Sequence, residues 1–225
     1  MAELILALDL PDRKRALTLL DTLSDALSWV KVGMELFTRE GPPLIKELQA
    51  RSLKIFLDLK FYDIPHTVGR AVAKAQELGV DLLTLHCQGG QRMLEEAVSQ
   101  RNLGGTHPLL FGVTVLTSFA EGELPGISLP IKDFAKHLAA LASSCRLDGI
   151  VTSPMEAAGI KANFPTLKCL CPGIRPSFAQ RFDQRRVATP AEAVAAGADY
   201  LVIGRPILEA ENPKEALLTI REEMI

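Results

Sequence analysis

The chain of 225 residues has one tryptophan, two tyrosines and four cysteines, and its 25 basic residues nearly cancel its 27 acidic ones. A net charge of -2 gives no basic field for nucleic acid and no polybasic patch for a membrane, so an anionic ligand must be held locally. Cys87 and Cys145 stand isolated, and Cys169 and Cys171 lie two apart in an apolar run with no metal-ligand spacing. We read all four as apolar filler in a reducing compartment and expect a cytoplasmic protein. No apolar run approaches the length that spans a bilayer. The first residues, Met-Ala-Glu-Leu-Ile-Leu-Ala-Leu-Asp9, put an acid where a secretory signal needs positive charge.

What is present is a rhythm of short apolar runs and longer helical patterns in a chain that is 48% hydrophobic. Strands are expected at Leu4 to Leu10, Trp29 to Met34, Lys54 to Phe61, Asp81 to His86, Leu109 to Leu116, Gly149 to Ser153, Lys168 to Ile174 and Tyr200 to Arg205. Helices are expected at Asp12 to Leu27, Pro42 to Arg51, Pro65 to Leu78, Gln91 to Gln100, Ile131 to Ser144, Pro154 to Asn163, Pro190 to Ala196 and Pro213 to Glu223. Ser153, Thr189 and Asn212 each precede a first-turn proline, the first two with a glutamate completing a capping box. Gly79 and Gly197 read as helix C-caps. Eight strand-helix units predict an α/β protein, a single (β/α)8 TIM barrel in one domain covering residues 1–225. The long stretches Thr117 to Pro130 and Arg175 to Ala188 follow strands and read as binding loops or lids on the active face.

Charges interrupt this pattern where it should be most apolar. Asp9 closes the first strand, Lys31 sits between two valines in the second, and Asp58-Leu-Lys60-Phe-Tyr-Asp63-Ile-Pro65 ends the third. Strand alternation projects Asp58 and Lys60 to one face, and the loop beyond can swing Asp63 to the same mouth. Buried charges are costly unless paired, so the cluster is either a structural ion network or a working site. The carboxyl ends of barrel strands line the active site, which favours the second. An alternating row of Lys31, Asp58, Lys60 and Asp63 gives each ammonium a carboxylate neighbour. A lysine so held can act as a general acid, which suits loss of carbon dioxide followed by protonation of a carbanion.

Late in the chain, Pro172-Gly-Ile-Arg175-Pro and Ile203-Gly204-Arg205-Pro end the seventh and eighth strands. Loops after these two strands frequently build a phosphate site in barrels of this kind, and Gly204 and Arg205 suit one by backbone approach and by a fixed donor fork. Gln184 could add an amide donor from the intervening loop.

Together these motifs resemble the orotidine 5'-monophosphate decarboxylase family over essentially the whole chain. The resemblance rests on Ala-Leu-Asp9, Val-Lys31-Val-Gly, Asp58-Leu-Lys60-Phe-Tyr-Asp63-Ile-Pro-His-Thr67-Val, Val-Leu-Thr117, Pro-Gly-Ile-Arg175-Pro, Asp183-Gln184-Arg-Arg-Val and Ile-Gly204-Arg205-Pro. It implies cofactor-free, metal-free decarboxylation of orotidine 5'-monophosphate to UMP, with Lys60 as proton donor to C6 and Asp58 beside the substrate carboxylate. It further implies that Lys31 and Asp9 hold the ribose, that Thr117 approaches the pyrimidine, and that Arg175, Gln184, Gly204 and Arg205 bind the phosphate. Asp63, Ile64 and Thr67 would also bind substrate, Asp63 and Thr67 entering the neighbouring subunit's site, which makes the partner a second copy of the chain. His66 departs from the asparagine common in the family. Related magnesium-dependent sugar-phosphate decarboxylases and aldolases share Asp-x-Lys-x-x-Asp but use an acid where this chain has Lys31, and a nucleotide-binding barrel without catalysis is a third reading.

Overall fold

The computed structural model describes residues 2–23, 26–178 and 188–225. Eight parallel strands close on themselves in sequence order: β1 (Glu3–Ala7), β2 (Trp29–Gly33), β3 (Lys54–Phe61), β4 (Leu82–His86), β5 (Leu109–Val113), β6 (Gly149–Val151), β7 (Lys168–Cys171) and β8 (Tyr200–Ile203). Helices α1 (Arg13–Leu23), α2 (Met34–Glu40), α3 (Pro42–Ala50), α4 (Pro65–Glu77), α5 (Gln91–Leu103), α6 (Ile131–Ser144), α7 (Pro154–Asn163), α8 (Pro190–Ala195), α9 (Arg205–Leu208) and α10 (Pro213–Glu223) cover the outside. The expected (β/α)8 barrel is therefore the fold. Among the described residues no helix is long and apolar enough to cross a membrane.

Boundaries differ from expectation in a consistent direction. The expected strands ran to Leu10, Leu116, Ile174 and Arg205, whereas the ladders end at Ala7, Val113, Cys171 and Ile203. Tilted barrel strands diverge at the rim, so apolar residues there leave the ladder while still facing the mouth. The short helices α2 and α9 were not expected, because seven and four residues carry too little periodicity. Capping follows the sequence closely: both boxes form, at Ser153 with Glu156 and Thr189 with Glu192, and the Asn212 side chain accepts from the amide of Glu215. Gly79 and Gly197 adopt positive φ just past α4 and α8, as a helix-terminating residue requires.

Two apolar layers fill the molecule. Inside the barrel, Trp29, Phe56, Phe111 and Tyr200 pack with Ile5, Leu82, Leu170 and Val202. Tyr200 meets Trp29 and Phe111 edge-on, with ring centroids 5.7 Å apart in each pair. Four of the twelve aromatic residues thus form a plug below the mouth. Leucine, isoleucine, valine and the four buried, free cysteines pack between barrel and helices. Burial drives the cysteine thiols up, Cys87 to about 12 and Cys169 to about 11, so they remain protonated filler.

At the amino end, one device recurs. Asp81, Asp148 and Asp199, each just before an even-numbered strand, accept the amide of the second residue of the preceding strand: Ile55, Leu110 and Cys169 at 2.7, 2.8 and 2.7 Å. Asp148 also receives Arg101 at 2.7 Å. Asp81→Ala is expected to destabilise the protein by about 1–3 kcal/mol, because the buried Ile55 amide loses its acceptor. Urea unfolding measures this, and an unchanged midpoint would remove the aspartate from the account of barrel closure.

Candidate active site

Residues pointing inward above the aromatic plug come from the same strand faces. Lys31 is the inward residue two beyond Trp29, and Asp58 is two beyond Phe56. Lys31 Nζ lies 2.8 Å from Asp9 Oδ1 and 3.7 Å from Asp58 Oδ2. Lys60 Nζ donates to both oxygens of Asp58 at 2.9 Å. Asp9, Lys31, Asp58 and Lys60 therefore form one row with alternating sign. Lys31 and Asp58 are buried, Lys60 is half-buried and Asp9 faces solvent.

Simple alternation does not account for Lys60. Its φ is +51°, a left-handed conformation that costs a side-chain-bearing residue roughly 1–2 kcal/mol. The β3–β4 register slips at the same place. The expectation that both side chains share a face holds for their contact, but a bulge rather than regular pleating produces it.

The row faces a cavity of about 290 Å³ lined by Asp9, Lys31, Asp58, Lys60, Thr117, Arg175, Gly204 and Arg205. Phe56, Val113, Val115, Val151, Leu170 and Val202 supply its apolar wall. Its lining thus combines the paired charges, an apolar surface and two arginines. Arg175 is buried and donates through Nη1 to the Ile174 carbonyl at 2.8 Å, while its amide meets the Ala188 carbonyl at 2.8 Å. Arg205 opens α9 immediately after Gly204, so it begins a helix rather than ending a strand.

Other expected residues stand elsewhere. Asp63, Ile64 and Thr67 are exposed on the rim after β3 and do not line this cavity. The Asp63 carboxylate accepts from the Ile64 amide at 2.6 Å, so within the chain the expected row loses Asp63 from its Lys60 end and gains Asp9 at its Lys31 end. Gln184 lies outside the described residues. His86, at the end of β4, is half-buried with its ring 5.7 Å from that of Tyr62. Burial, reinforced by the charge of Lys60 and opposed by Asp58, lowers its pKa and favours the neutral imidazole.

Sequence reasoning missed Thr84 and Gly33. Thr84 is fully buried beside Asp58, and its signal was a lone hydroxyl in Leu-Leu-Thr-Leu. Gly33 has ordinary extended backbone, but a Cβ there would lie 3.1 Å from Lys31 Nζ and 3.3 Å from Asp9 Oδ1. Only a residue without a side chain leaves that ion pair undisturbed.

A closed barrel that gathers paired charges and two arginines at the carboxyl ends of its strands defines an enzyme of the (β/α)8 class. Residues 2–220 match the family described as Orotidine 5'-phosphate decarboxylase / HUMPS family, and the chain belongs to it. An orotidine 5'-phosphate decarboxylase of Lawsonia intracellularis is 49% identical over 217 residues, covering 95% of each chain. One of Pseudomonas putida is 47% identical over 226 residues, covering 98% of this chain and 96% of the relative. The crystal structure of orotidine 5'-phosphate decarboxylase from Lactobacillus acidophilus superposes with a TM-score of 0.88 at 34% identity, covering 100% of this chain and 99% of that one.

Gly33→Ala is expected to displace the Lys31 ammonium or the Asp9 carboxylate by a few tenths of an ångström, because the added Cβ would lie 3.1 and 3.3 Å from them. A crystal structure of the variant checks it; an unmoved ion pair would contradict the steric argument.

Proposed function

We propose that this protein decarboxylates orotidine 5'-monophosphate to UMP and carbon dioxide in pyrimidine synthesis, without metal or cofactor. The observation that carries the proposal is the Lys60 ammonium held 2.9 Å from both Asp58 oxygens at the edge of a cavity that joins a charged lining to an apolar wall. Family membership and the names of the relatives point the same way.

In this mechanism the nucleotide phosphate binds between Arg205, Gly204 and Arg175, and Lys31 with Asp9 holds the ribose. Thr117 approaches the base. These contacts place the substrate carboxylate against Asp58. Like charges repel there, so the ground state is disfavoured relative to a transition state in which the substrate's charge leaves the carboxylate. The bond from C6 to the carboxyl carbon breaks, its electron pair stays on C6, and neutral carbon dioxide leaves against the apolar wall. Lys60 then transfers a proton from Nζ to C6, giving UMP, and regains a proton from water.

The partner is a second copy of the chain. Support comes from the rim, where Met34, Tyr62 and Ile64, large apolar residues following the neighbouring strands β2 and β3, are 56, 61 and 66% exposed, an exposure that suits a subunit contact. Asp63, Ile64 and Thr67 would complete the neighbouring site from there. The whole chain acts as one catalytic domain, and its buried thiols suit the cytoplasm.

The magnesium-dependent alternative meets an electrostatic obstacle, since the Lys31 ammonium already sits between Asp9 and Asp58, where a cation would need to bind. A spectrophotometric assay with orotidine 5'-monophosphate, with and without chelator, separates the readings. Turnover should be unaffected by the chelator, while loss of activity would favour a metal and inert protein would favour a silent binding barrel. Lys60→Ala should abolish turnover in protein that remains folded by circular dichroism, and near-normal turnover would reject the proton-donor role. Arg205→Ala should lower kcat/KM by roughly 10- to 150-fold, the equivalent of losing about 1.5–3 kcal/mol from one charged hydrogen-bond partner. An unchanged kcat/KM would remove Arg205 from the phosphate site.

A further inference from the structure

Lys60 owes its position to a break in the β3–β4 ladder. Leu57 pairs with Leu83 and Phe61 pairs with Leu85, so Asp58, Leu59 and Lys60 stand opposite Thr84 alone. Such a bulge interrupts the ladder and removes partners that regular backbone pairing would supply. Thr84 replaces them with its side chain. Its Oγ1 accepts the backbone N–H of Lys60 at 3.0 Å and donates to Asp58 Oδ1 at 2.9 Å. The direction of both bonds is fixed, because an amide nitrogen can only donate and an ionised carboxylate can only accept.

We propose that Thr84 is a positioning residue, which holds Lys60 in its left-handed conformation and fixes the facing Asp58 oxygen so that the ammonium points into the cavity. The inference rests on the proton-donor role of Lys60 and adds a residue to it. Thr84 is fully buried and is absent from the cavity lining, so it acts through its two partners. A hydroxyl at this position is the smallest group that accepts and donates at once. Valine keeps the shape and does neither, leaving the amide of Lys60 without its acceptor and Asp58 with one donor fewer. Lys60 can then relax towards an extended φ, which would swing Nζ away. Arg205, on β8's side of the mouth, is untouched.

The test compares Thr84→Val and Thr84→Ser with the wild-type protein. Thr84→Val is expected to lower kcat by about 10- to 100-fold, the scale of a small misplacement of a reacting group. Affinity for UMP by calorimetry should stay within about threefold, since phosphate contacts are preserved. Thr84→Ser should restore most of kcat, which a merely space-filling role would not predict, because serine loses the methyl group and keeps the hydroxyl. In 15N-labelled protein, hydrogen exchange at the Lys60 amide should be slow in the wild type and Thr84→Ser, and fast in Thr84→Val. If Thr84→Val does not fold, Thr84→Cys, a weak donor and weak acceptor of similar size, should give an intermediate kcat. Wild-type kcat in the valine or cysteine variant, equal losses in valine and serine, or unchanged Lys60 exchange would overturn the proposal. Wild-type protein inert towards the nucleotide would sink the functional reading instead, and the exchange measurement would still decide what Thr84 does.

Discussion

The mouth of the barrel depends on satisfying the buried Asp58 carboxylate. Taking a carboxylate out of water costs several kcal/mol even after relaxation, so its oxygens need donors from several directions. Lys60 reaches both oxygens, Thr84 reaches one, and Lys31 approaches the other at 3.7 Å. Each donor comes from a different position on three adjacent strands. Strand order, the bulge in β3 and the lone threonine in β4 are thereby all constrained by one carboxylate.

That arrangement needs a rigid floor. The aromatic plug fills the barrel just below the charges, so side chains at the next inward position cannot sink. The amino-end aspartates hold the opposite rim by capping strand amides, far from the chemistry. Stability and function are thus separated along the barrel axis, with carboxylates capping strand amides at one end and an open charged mouth at the other. At the charged end, strain in Lys60 and an ion row of two acids and two bases are retained because surrounding contacts over-determine them.

Alternating runs specified the eight strands, and proline with a capping side chain marked three helix starts. Charges inside apolar runs marked Lys31, Asp58 and Lys60, since a charge tolerates burial in a strand only when it is paired. The short helices and the strand ends were less legible, because their limits depend on where tilted neighbours diverge. Asp63, Ile64 and Thr67 carry the resemblance in sequence but lie on the outer rim of this chain.

Short apolar runs alternating with helical patterns, and with them the barrel, were legible in the residues alone, as were the residue types able to carry a proton and an anion. Tertiary structure decided which charges meet. Asp9 reaches Lys31 only because β1 and β2 are neighbours, and Lys60 faces Asp58 through a left-handed residue that no alternation rule anticipates. Thr84 and Gly33 acquire their importance from distance alone, one supplying a hydroxyl and the other the absence of a side chain. Residue identity sets what a group can donate, accept or exclude, but hydrogen bonds and close contacts act over a few ångströms, and only the closed barrel brings residues distant in sequence to that range.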